Sequence, residues 1–246
     1  MSHDTLLVST QPKVDAIAIV QRIKEEIHRA RDFDDAVIKR EIISAIRYYR
    51  GKRFFFNEGQ AQMLTTAGQE SYGPESATGE QDGYPADMLR PDRLRITINN
   101  SIYILDHKTI HHIRNVNTNP DTTGYPDWWA WYNKKFWLYP VANTDDWVID
   151  IDYIKDIGTP YYTYTGGEWV FYDPGGNILD DSWTSDWLEY GEELIRFRAK
   201  WGIYMNVILD MEKAAIAKQA EKIAYDSLVQ DRNNFIMTSE AIAWGY

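Results

Sequence analysis

Apolar residues recur at intervals of three and four in two segments near the start of the chain, a spacing typical of amphipathic helices. The first segment has Ala16, Val20, Ile23, Ile27 and Ala30, and the second has Ile38, Ile42, Ala45, Ile46 and Tyr49. Aspartates between Asp32 and Asp34 are suited to cap the second helix, and Gly51 provides a stop. The pattern predicts two helices joined by a short turn.

A third helical pattern lies in the C-terminal part of the chain. Acids, serines and a threonine between Asp180 and Asp186 are typical of a helix start. The apolar spacing then persists for about six turns, which predicts one long helix. Its apolar positions are Leu194, Phe197, Trp201, Tyr204, Ile208, Met211 and Ala215. We expect helicity to continue to about Leu228, and residues 233–246 to remain apolar without periodicity.

Between these helical segments the pattern changes to short alternating runs. Residues 69–91 are rich in Gly, Ser, Glu and Pro, which predicts an exposed loop. Leu94, Ile96 and Ile98 alternate with polar residues and precede the turn pair Asn99-Asn100, which predicts a hairpin continuing through Ile102 and Ile104. Further strands are expected at 128–132, 135–139 and 147–154, and an aromatic hairpin or protruding loop at 161–176.

The order of these segments predicts an α+β fold. We expect a helical bundle formed by the N- and C-terminal helices, from residues 1–52 and 182–230, with a small antiparallel β domain inserted at 53–181. The remaining residues, 231–246, are interpreted as a docking tail. A chain of 246 residues is long enough for one or two domains of this kind.

Charge and cysteine content narrow the classes of partner. The chain has 37 acidic and 26 basic residues and a formal net charge of −11, which argues against a protein that grips nucleic-acid phosphates. The same excess suits a surface past which DNA slides without binding. There is no cysteine, which fits assembly in a cytoplasm. No secretory leader or run of ~20 apolar residues is present, so we expect no membrane contact.

Aromatic residues make up 14% of the chain, and such residues are enriched in protein interfaces. Candidates for subunit interface or core are Phe54, Phe55, Phe56, Trp128, Trp131, Trp137 and Trp201. Candidates for docking to a partner, chosen because they are apolar and near the chain end, are Phe235, Ile236, Met237, Ile242, Trp244 and Tyr246. The tryptophan-rich stretch 128–139 also suits a sugar-stacking platform, so a carbohydrate-binding or carbohydrate-active protein is the alternative.

No histidine, aspartate or glycine spacing in the sequence matches a catalytic or metal-binding motif in full. His107 and His111 lie four residues apart, but the glutamate of a zinc-hydrolase helix is missing, and a surface turn is the simpler interpretation. Aspartate pairs at 145–146, 150–152 and 180–181 would suit a hydrolase only if two of them converged in a cleft. The glycine pairs at 166–167 and 175–176 lack the Lys and Ser or Thr of a phosphate loop. We therefore expect no enzyme, no cofactor and no metal.

Residues Ile46 to Glu58, Ile-Arg-Tyr-Tyr-Arg-Gly-Lys-Arg-Phe-Phe-Phe-Asn-Glu, resemble a helix-to-strand junction of phage head-to-tail adaptor proteins. Further segments resemble that family in the same order, over most of residues 14–225. They are the strand 65–72, Tyr84-Pro85-Ala86-Asp87, Gly124-Tyr125-Pro126, Leu138-Tyr139-Pro140 and the helix start Glu193 to Ala199. The 161–172 segment looks like an added hairpin, the 73–83 loop is longer than in the family, and Tyr84 replaces an aliphatic residue.

The resemblance implies a structural protein of the tailed-phage virion, in a podovirus-type neck. Such proteins form a twelve-copy ring under the portal, with a helical bundle around the DNA channel and a β domain facing outward. The implied partners are the portal protein, tail or nozzle proteins and further copies of the chain, while DNA passes without specific binding. A tail-tube or neck completion protein is a related alternative within the same class.

Overall fold

A computed structural model describes residues 15–27, 34–74, 83–117 and 122–243, with side chains up to residue 233. The chain forms two compact units. The helical unit comprises residues 1–56 and 157–246, and the β unit comprises residues 57–156. The α+β prediction is confirmed, with helices from both chain ends in one unit. The β insertion is shorter than the expected 53–181, because residues 53–56 and 157–181 belong to the helical unit.

Six α-helices lie in the described residues. They are α1 (Ala16–Glu26), α2 (Asp35–Tyr49), α3 (Ile110–Val116), α4 (Asp186–Tyr190), α5 (Glu192–Ile203) and α6 (Met211–Ala243). Side-chain caps explain where the first two begin. Asp15 accepts a hydrogen bond from the Ala18 amide at 2.8 Å, and Asp34 accepts one from the Ala36 amide at 3.0 Å. The two predicted N-terminal helices are therefore confirmed, although Ala30 and Asp32 lie outside the described residues.

The prediction of one long C-terminal helix is wrong. α5 ends at Ile203, one π-helical turn covers Tyr204–Ile208, and Leu209 takes a left-handed conformation with φ 59°. Asp210 then starts α6, since its carboxylate accepts a hydrogen bond from the Lys213 amide at 3.0 Å. The apolar spacing runs on through the break, so periodicity alone does not reveal it. The result is a helical hairpin in which α5 packs against α6.

Two further details of the C-terminal helices differ from expectation. The acid-rich segment 180–186 precedes the short helix α4, and Ser185 at its N-cap makes no capping hydrogen bond through its side chain. Helix α6 has 33 residues and continues to Ala243, so the backbone after residue 233 is helical although the apolar spacing there is irregular.

All four longer helices, α1, α2, α5 and α6, contribute residues to the core of the helical unit. α6 contributes small residues at positions spaced by three and seven, namely Ala214, Ala217 and Ala224, which permit close helix packing. Phe54 and Phe56 stack at 5.3 Å between ring centroids, and both meet the buried Trp187 edge-on. The buried aliphatic residues around them include Ile19, Ile23, Ile38, Ile46, Leu194, Ile195 and Ile203.

The aromatic hairpin expected near residues 161–176 is present. Its strands are β11 (Tyr161–Thr165) and β12 (Glu168–Tyr172), and the glycines at the turn have φ of 66° and 91°. Three cations of α2 lie over its rings. Arg40 is 5.4 Å from Trp169, Arg47 is 5.1 Å from Tyr162, and Lys39 is 6.0 Å from Phe171. These contacts explain why the hairpin belongs to the helical unit.

Ten strands lie in the described part of the β unit. They are β1 (Glu58–Leu64), β2 (Ser71–Tyr72), β3 (Met88–Ile98), β4 (Ser101–Ile104), β5 (Asp106–His107), β6 (Thr123–Gly124), β7 (Trp128–Tyr132), β8 (Lys135–Tyr139), β9 (Val141–Ala142) and β10 (Val148–Lys155). One four-stranded sheet has the order β1-β10-β3-β4, the other β2-β8-β7-β5, and β6 pairs with β9. The predicted turn at Asn99-Asn100 is confirmed, with φ of 51° and 62°.

The two four-stranded sheets share one hydrophobic core. Ile96, Ile149 and Ile151 from the first sheet pack with Phe136 and Leu138 from the second. The predicted loop at 69–91 is wrong in part. Its two tyrosines, Tyr72 and Tyr84, are buried in this core, and β3 begins at Met88 rather than near Leu94. Turn-forming composition does not reveal a buried aromatic residue.

Candidate interaction surfaces

Helix α6 exposes large aliphatic side chains on the side away from its core. Its buried positions are 214, 217, 221, 224 and 228, a seam that faces the rest of the helical unit. Ile216 and Ile223 lie seven residues apart, which places them on one face, and they are 62% and 65% exposed. Leu209, in the turn before α6, is also exposed. An aligned row of exposed aliphatic side chains is characteristic of an interaction surface.

A groove lies between α2 and α6 on one flank of this row. Its cavity volume is about 630 Å³. Three tyrosines and three lysines line it, which makes it both aromatic and basic. They are Tyr48, Tyr49, Tyr225, Lys52, Lys218 and Lys222. We refer to it as the basic groove.

A buried carboxylate forms the floor of the basic groove. Glu221 is 2% exposed and accepts a hydrogen bond from the Tyr49 hydroxyl. Lys218 Nζ lies 3.0 and 2.9 Å from the two Glu221 carboxylate oxygens, and Arg198 Nη1 lies 3.4 Å from one of them. One anion thus has two cationic neighbours, so the groove keeps a surplus of positive charge. Burial and the hydrogen bond to Glu221 raise the pKa of Tyr49, so this hydroxyl remains a donor.

The guanidinium of Arg198 is also stacked between aromatic rings. Its central carbon lies 3.8 Å from the Tyr48 ring centroid and 4.2 Å from that of Trp201. Lys218 Nζ lies 5.4 Å from the Trp201 ring. Trp201, predicted as a core or interface residue, therefore lies beside the basic groove and is partly buried.

A smaller, acidic cavity of about 260 Å³ lies on the other flank of α6. Glu189, Glu192, Glu193 and Asp231 are among its lining residues. Two arginines compensate part of this charge. Arg196 Nε lies 2.9 Å from Glu192, and Arg22 Nη1 lies 3.0 Å from the same carboxylate. We refer to this surface as the acidic flank.

The β unit exposes apolar residues on strand β4, at one edge of its sheet. Ile102 and Ile104 are 64% and 67% exposed, and Tyr103 is half-exposed. The cross-strand partners of the two isoleucines are Thr97 and Arg95, so both point to the polar face of the sheet. Exposed apolar edge strands are potential sites of strand pairing with another chain.

The other aromatic candidates lie in or against the cores. Phe54 and Phe56 are buried in the helical core, and Phe55 is partly buried with its ring 5.4 Å from Tyr190. In the β unit, strand alternation separates the tryptophans. Trp131 packs with Phe136 at 4.9 Å on the sandwich side, whereas Trp137 lies beside α3. Trp128 stacks on Tyr139 at 5.6 Å.

Side chains of the same chain lie beside three rings of the tryptophan-rich stretch 128–139. Arg114 lies 5.3 Å from the Trp137 ring and 5.5 Å from Tyr132. The His112 ring lies 5.2 Å from Trp128, and Lys108 lies 5.9 Å from it. A sugar ring would compete with these side chains for the ring faces on which it stacks.

The candidates for chemistry do not converge. His107 lies on β5 with its ring 4.4 Å from Trp129, whereas His111 lies on α3, so the two histidines do not share a helix face. Asp150 and Asp152 accept hydrogen bonds from Gln62 and Gln60 on the open face of the sheet. No group of three or more His, Asp or Glu residues suited to a metal occurs within the described residues.

The tail candidates can be placed only in part. Phe235, Ile236, Met237 and Ile242 lie on the C-terminal part of α6, where side chains are outside the described residues. Trp244 and Tyr246 lie outside them entirely. In the part of the chain that the structure describes, no helix has the length and apolar character of a membrane span.

The sequence interpretation missed the basic groove, the acidic flank and the outward direction of Ile216. A signal for Ile216 and Ile223 existed, since their spacing of seven falls outside the three-and-four series of positions 214, 217, 221, 224 and 228. No local signal identified the groove, because its residues come from segments of the chain more than 160 positions apart.

Comparisons with protein-family models and with curated proteins find no match to this chain.

Proposed function

We propose that this chain is a structural head-to-tail adaptor of a tailed bacteriophage, located in the virion neck between portal and tail. Copies of it would form a ring, twelve in the family it resembles, through which DNA passes. Its partners would be the portal protein, tail or nozzle proteins and other copies of the chain. On this proposal the protein acts by assembly and catalyses no reaction.

The observation that supports the proposal best is the position of the adaptor-like junction. Residues 46–58 contain the end of α2 at Tyr49, two phenylalanines buried in the helical core and the start of β1 at Glu58. The motif thus coincides with the point where the helical unit gives way to the β unit. Helices from both chain ends with a β insertion are the arrangement that the resemblance implies.

The exposed surfaces also support an assembly function. Ile216 and Ile223 on α6 and the two isoleucines of β4 are costly to leave in water unless a partner covers them. A subunit of a ring contacts a neighbour on each side and other proteins above and below, so several such surfaces are expected on one chain.

The test is reconstitution with the portal protein of the same virion. The purified chain is mixed with portal rings, and complexes are examined by mass measurement and by electron microscopy of end views. We expect a symmetric ring of this chain on one face of the portal. Absence of any complex at high micromolar concentration would refute the proposal.

A truncation tests the docking hypothesis for the chain end. Removal of residues 233–246 is expected to abolish portal binding while circular dichroism retains the helical signal of the remaining chain. The matched control is Lys135→Glu, which alters an exposed residue of β8 in the other unit. Undiminished portal binding by the truncated chain would contradict the docking hypothesis without excluding ring formation.

DNA passage gives an independent test. The net charge of −11 predicts that the isolated chain has no measurable, salt-dependent affinity for duplex DNA. Fluorescence anisotropy with a labelled duplex at low and moderate salt measures this directly. Tight binding that weakens steeply with salt would count against a channel past which DNA slides.

A further inference from the structure

The basic groove and the acidic flank lie on opposite sides of the same helix. Lys222 borders the groove and Asp231 borders the acidic cavity. They are nine residues apart, and at about 100° per residue this separation places them on opposite sides of α6. Within the described residues neither makes an ion pair, so both charges are available to a partner.

The two surfaces have opposite charge. The groove combines Lys218 and Lys222, and its floor places Arg198 beside the carboxylate of Glu221. On the acidic flank, Glu192 is paired with Arg22 and Arg196, and Glu193 and Asp231 add two further carboxylates. An excess of positive charge on one flank therefore faces away from an excess of negative charge on the other.

Apolar surface accompanies both charges. Ile223 lies about 40° around α6 from Ser227, which lines the acidic cavity, so an exposed aliphatic residue borders the acidic flank. On the other side Tyr48 is half-exposed at the rim of the groove. An aliphatic side chain that enters a tyrosine-lined groove, with charges paired around it, has the usual anatomy of a protein interface.

We propose that the basic groove of one copy receives the acidic flank and Ile223 of the next copy. The proposal rests on the proposed function and names the surface through which ring subunits meet. Because the two surfaces point in opposite directions, a two-fold dimer cannot engage both pairs at once. A head-to-tail contact can, and such contacts close into rings when the rotation between copies permits.

Charge reversal tests the contact with the full chain. Lys222→Glu and Asp231→Lys are each expected to raise the concentration for half-assembly about tenfold or more, because each places like charges together. Assembly is measured by sedimentation velocity and mass photometry, with and without portal rings. Lys135→Glu, at an exposed position of β8, is the matched control for the net-charge change of Lys222→Glu and is expected to assemble like wild type.

Mixing the two single variants gives the sharper result. In a head-to-tail ring of alternating copies, the altered groove of each Lys222→Glu copy meets the altered flank of an Asp231→Lys copy, and each unchanged groove meets an unchanged flank. An equimolar mixture is therefore expected to assemble although each variant alone does not, and the double variant is expected to assemble as well. Single variants that assemble normally, or a mixture that stays dissociated, would overturn the inference.

The outcomes separate this inference from the proposed function. If wild-type rings form on the portal and both single variants form them equally well, the groove contact is wrong and the adaptor proposal stands. If wild type neither self-associates nor binds the portal, both proposals fail. If Lys222→Glu loses portal binding but keeps self-association, the groove binds an acidic surface of the portal, and the second-copy contact is overturned.

Discussion

Substitution of Glu221 tests the ion cluster that joins α2, α5 and α6. The carboxylate is buried and accepts hydrogen bonds from Tyr49, Lys218 and Arg198. Hydrogen bonds to charged groups contribute about 1.5 to 3 kcal/mol each, but Lys218 is half-exposed and its share is below about 1 kcal/mol. The Arg198 contact, at 3.4 Å, is also weak.

These contributions predict a graded loss of stability. Glu221→Gln keeps an acceptor for Tyr49 and loses the charge, so we expect a loss of about 2 kcal/mol in the free energy of unfolding. Glu221→Ala removes the acceptor, leaves the Tyr49 hydroxyl buried without a partner and opens a cavity, so we expect about 4 kcal/mol. With an m-value of about 2 kcal/mol per molar urea, the midpoints fall by about 1 M and 2 M.

The assay is urea unfolding followed by circular dichroism at 222 nm, a signal dominated by the helical unit. Asp226→Asn is the control, since Asp226 is exposed on the same helix, and its midpoint is expected to match wild type. A shift below about 0.3 M for Glu221→Ala, or equal shifts for alanine and glutamine, would refute the assignment of Glu221 as a stabilising acceptor.

Three further changes have expected outcomes. Leu209→Gly relieves the strain of a left-handed backbone at an exposed leucine, so we expect the free energy of unfolding, measured by thermal unfolding, to rise by about 1 kcal/mol. A decrease would show that the leucine side chain stabilises the turn. Burial and the nearby Asp87 raise the pKa of Tyr153 to about 12. Its neutral phenol therefore stabilises the β unit below the unfolded pKa near 10, and this contribution is lost as pH rises through about 12. Tyr153→Phe should lessen the fall in stability measured over that range; an unchanged pH profile would contradict this. Ile102→Lys with Ile104→Lys should leave the free energy of unfolding within about 0.5 kcal/mol of the wild-type value, because both residues are exposed. A larger loss in urea unfolding would place them in a packed environment.

Local signals in the sequence are sufficient wherever local chemistry determines the structure. Asp34 caps α2 because its carboxylate reaches an amide two residues away. Asn99 and Asn100 form a hairpin turn because asparagine tolerates positive φ. The strands predicted at 128–132 and 135–139 have their observed bounds for the same reason, since alternation within five residues shows which side chains face the core.

Elements that depend on tertiary contacts could not be predicted in this way. The break at Leu209 contains neither glycine nor proline, and a left-handed leucine is tolerated only because the α5–α6 packing offsets its cost. The strand pattern of the 161–172 hairpin predicts a place in the β domain, yet cations of α2 bind its rings. Periodicity also does not show that α6 leaves Ile216 and Ile223 uncovered, since the face opposite a seam can be either solvent or a partner.

The lengths of α5 and α6 connect the fold to the proposed assembly. α5 has 12 residues and is about 18 Å long, whereas α6 has 33 residues and is about 50 Å long. α5 can therefore pack along less than half of α6, and the last buried side chain described on α6 is Leu228. The 15 residues of α6 that follow Leu228 would form only a marginal helix on their own, because isolated helices of about 12 to 15 residues gain little stability from propensity alone. A partner beyond Leu228 would supply that packing, which is why a helical end containing Phe235 and Ile242 suits docking better than an irregular tail would.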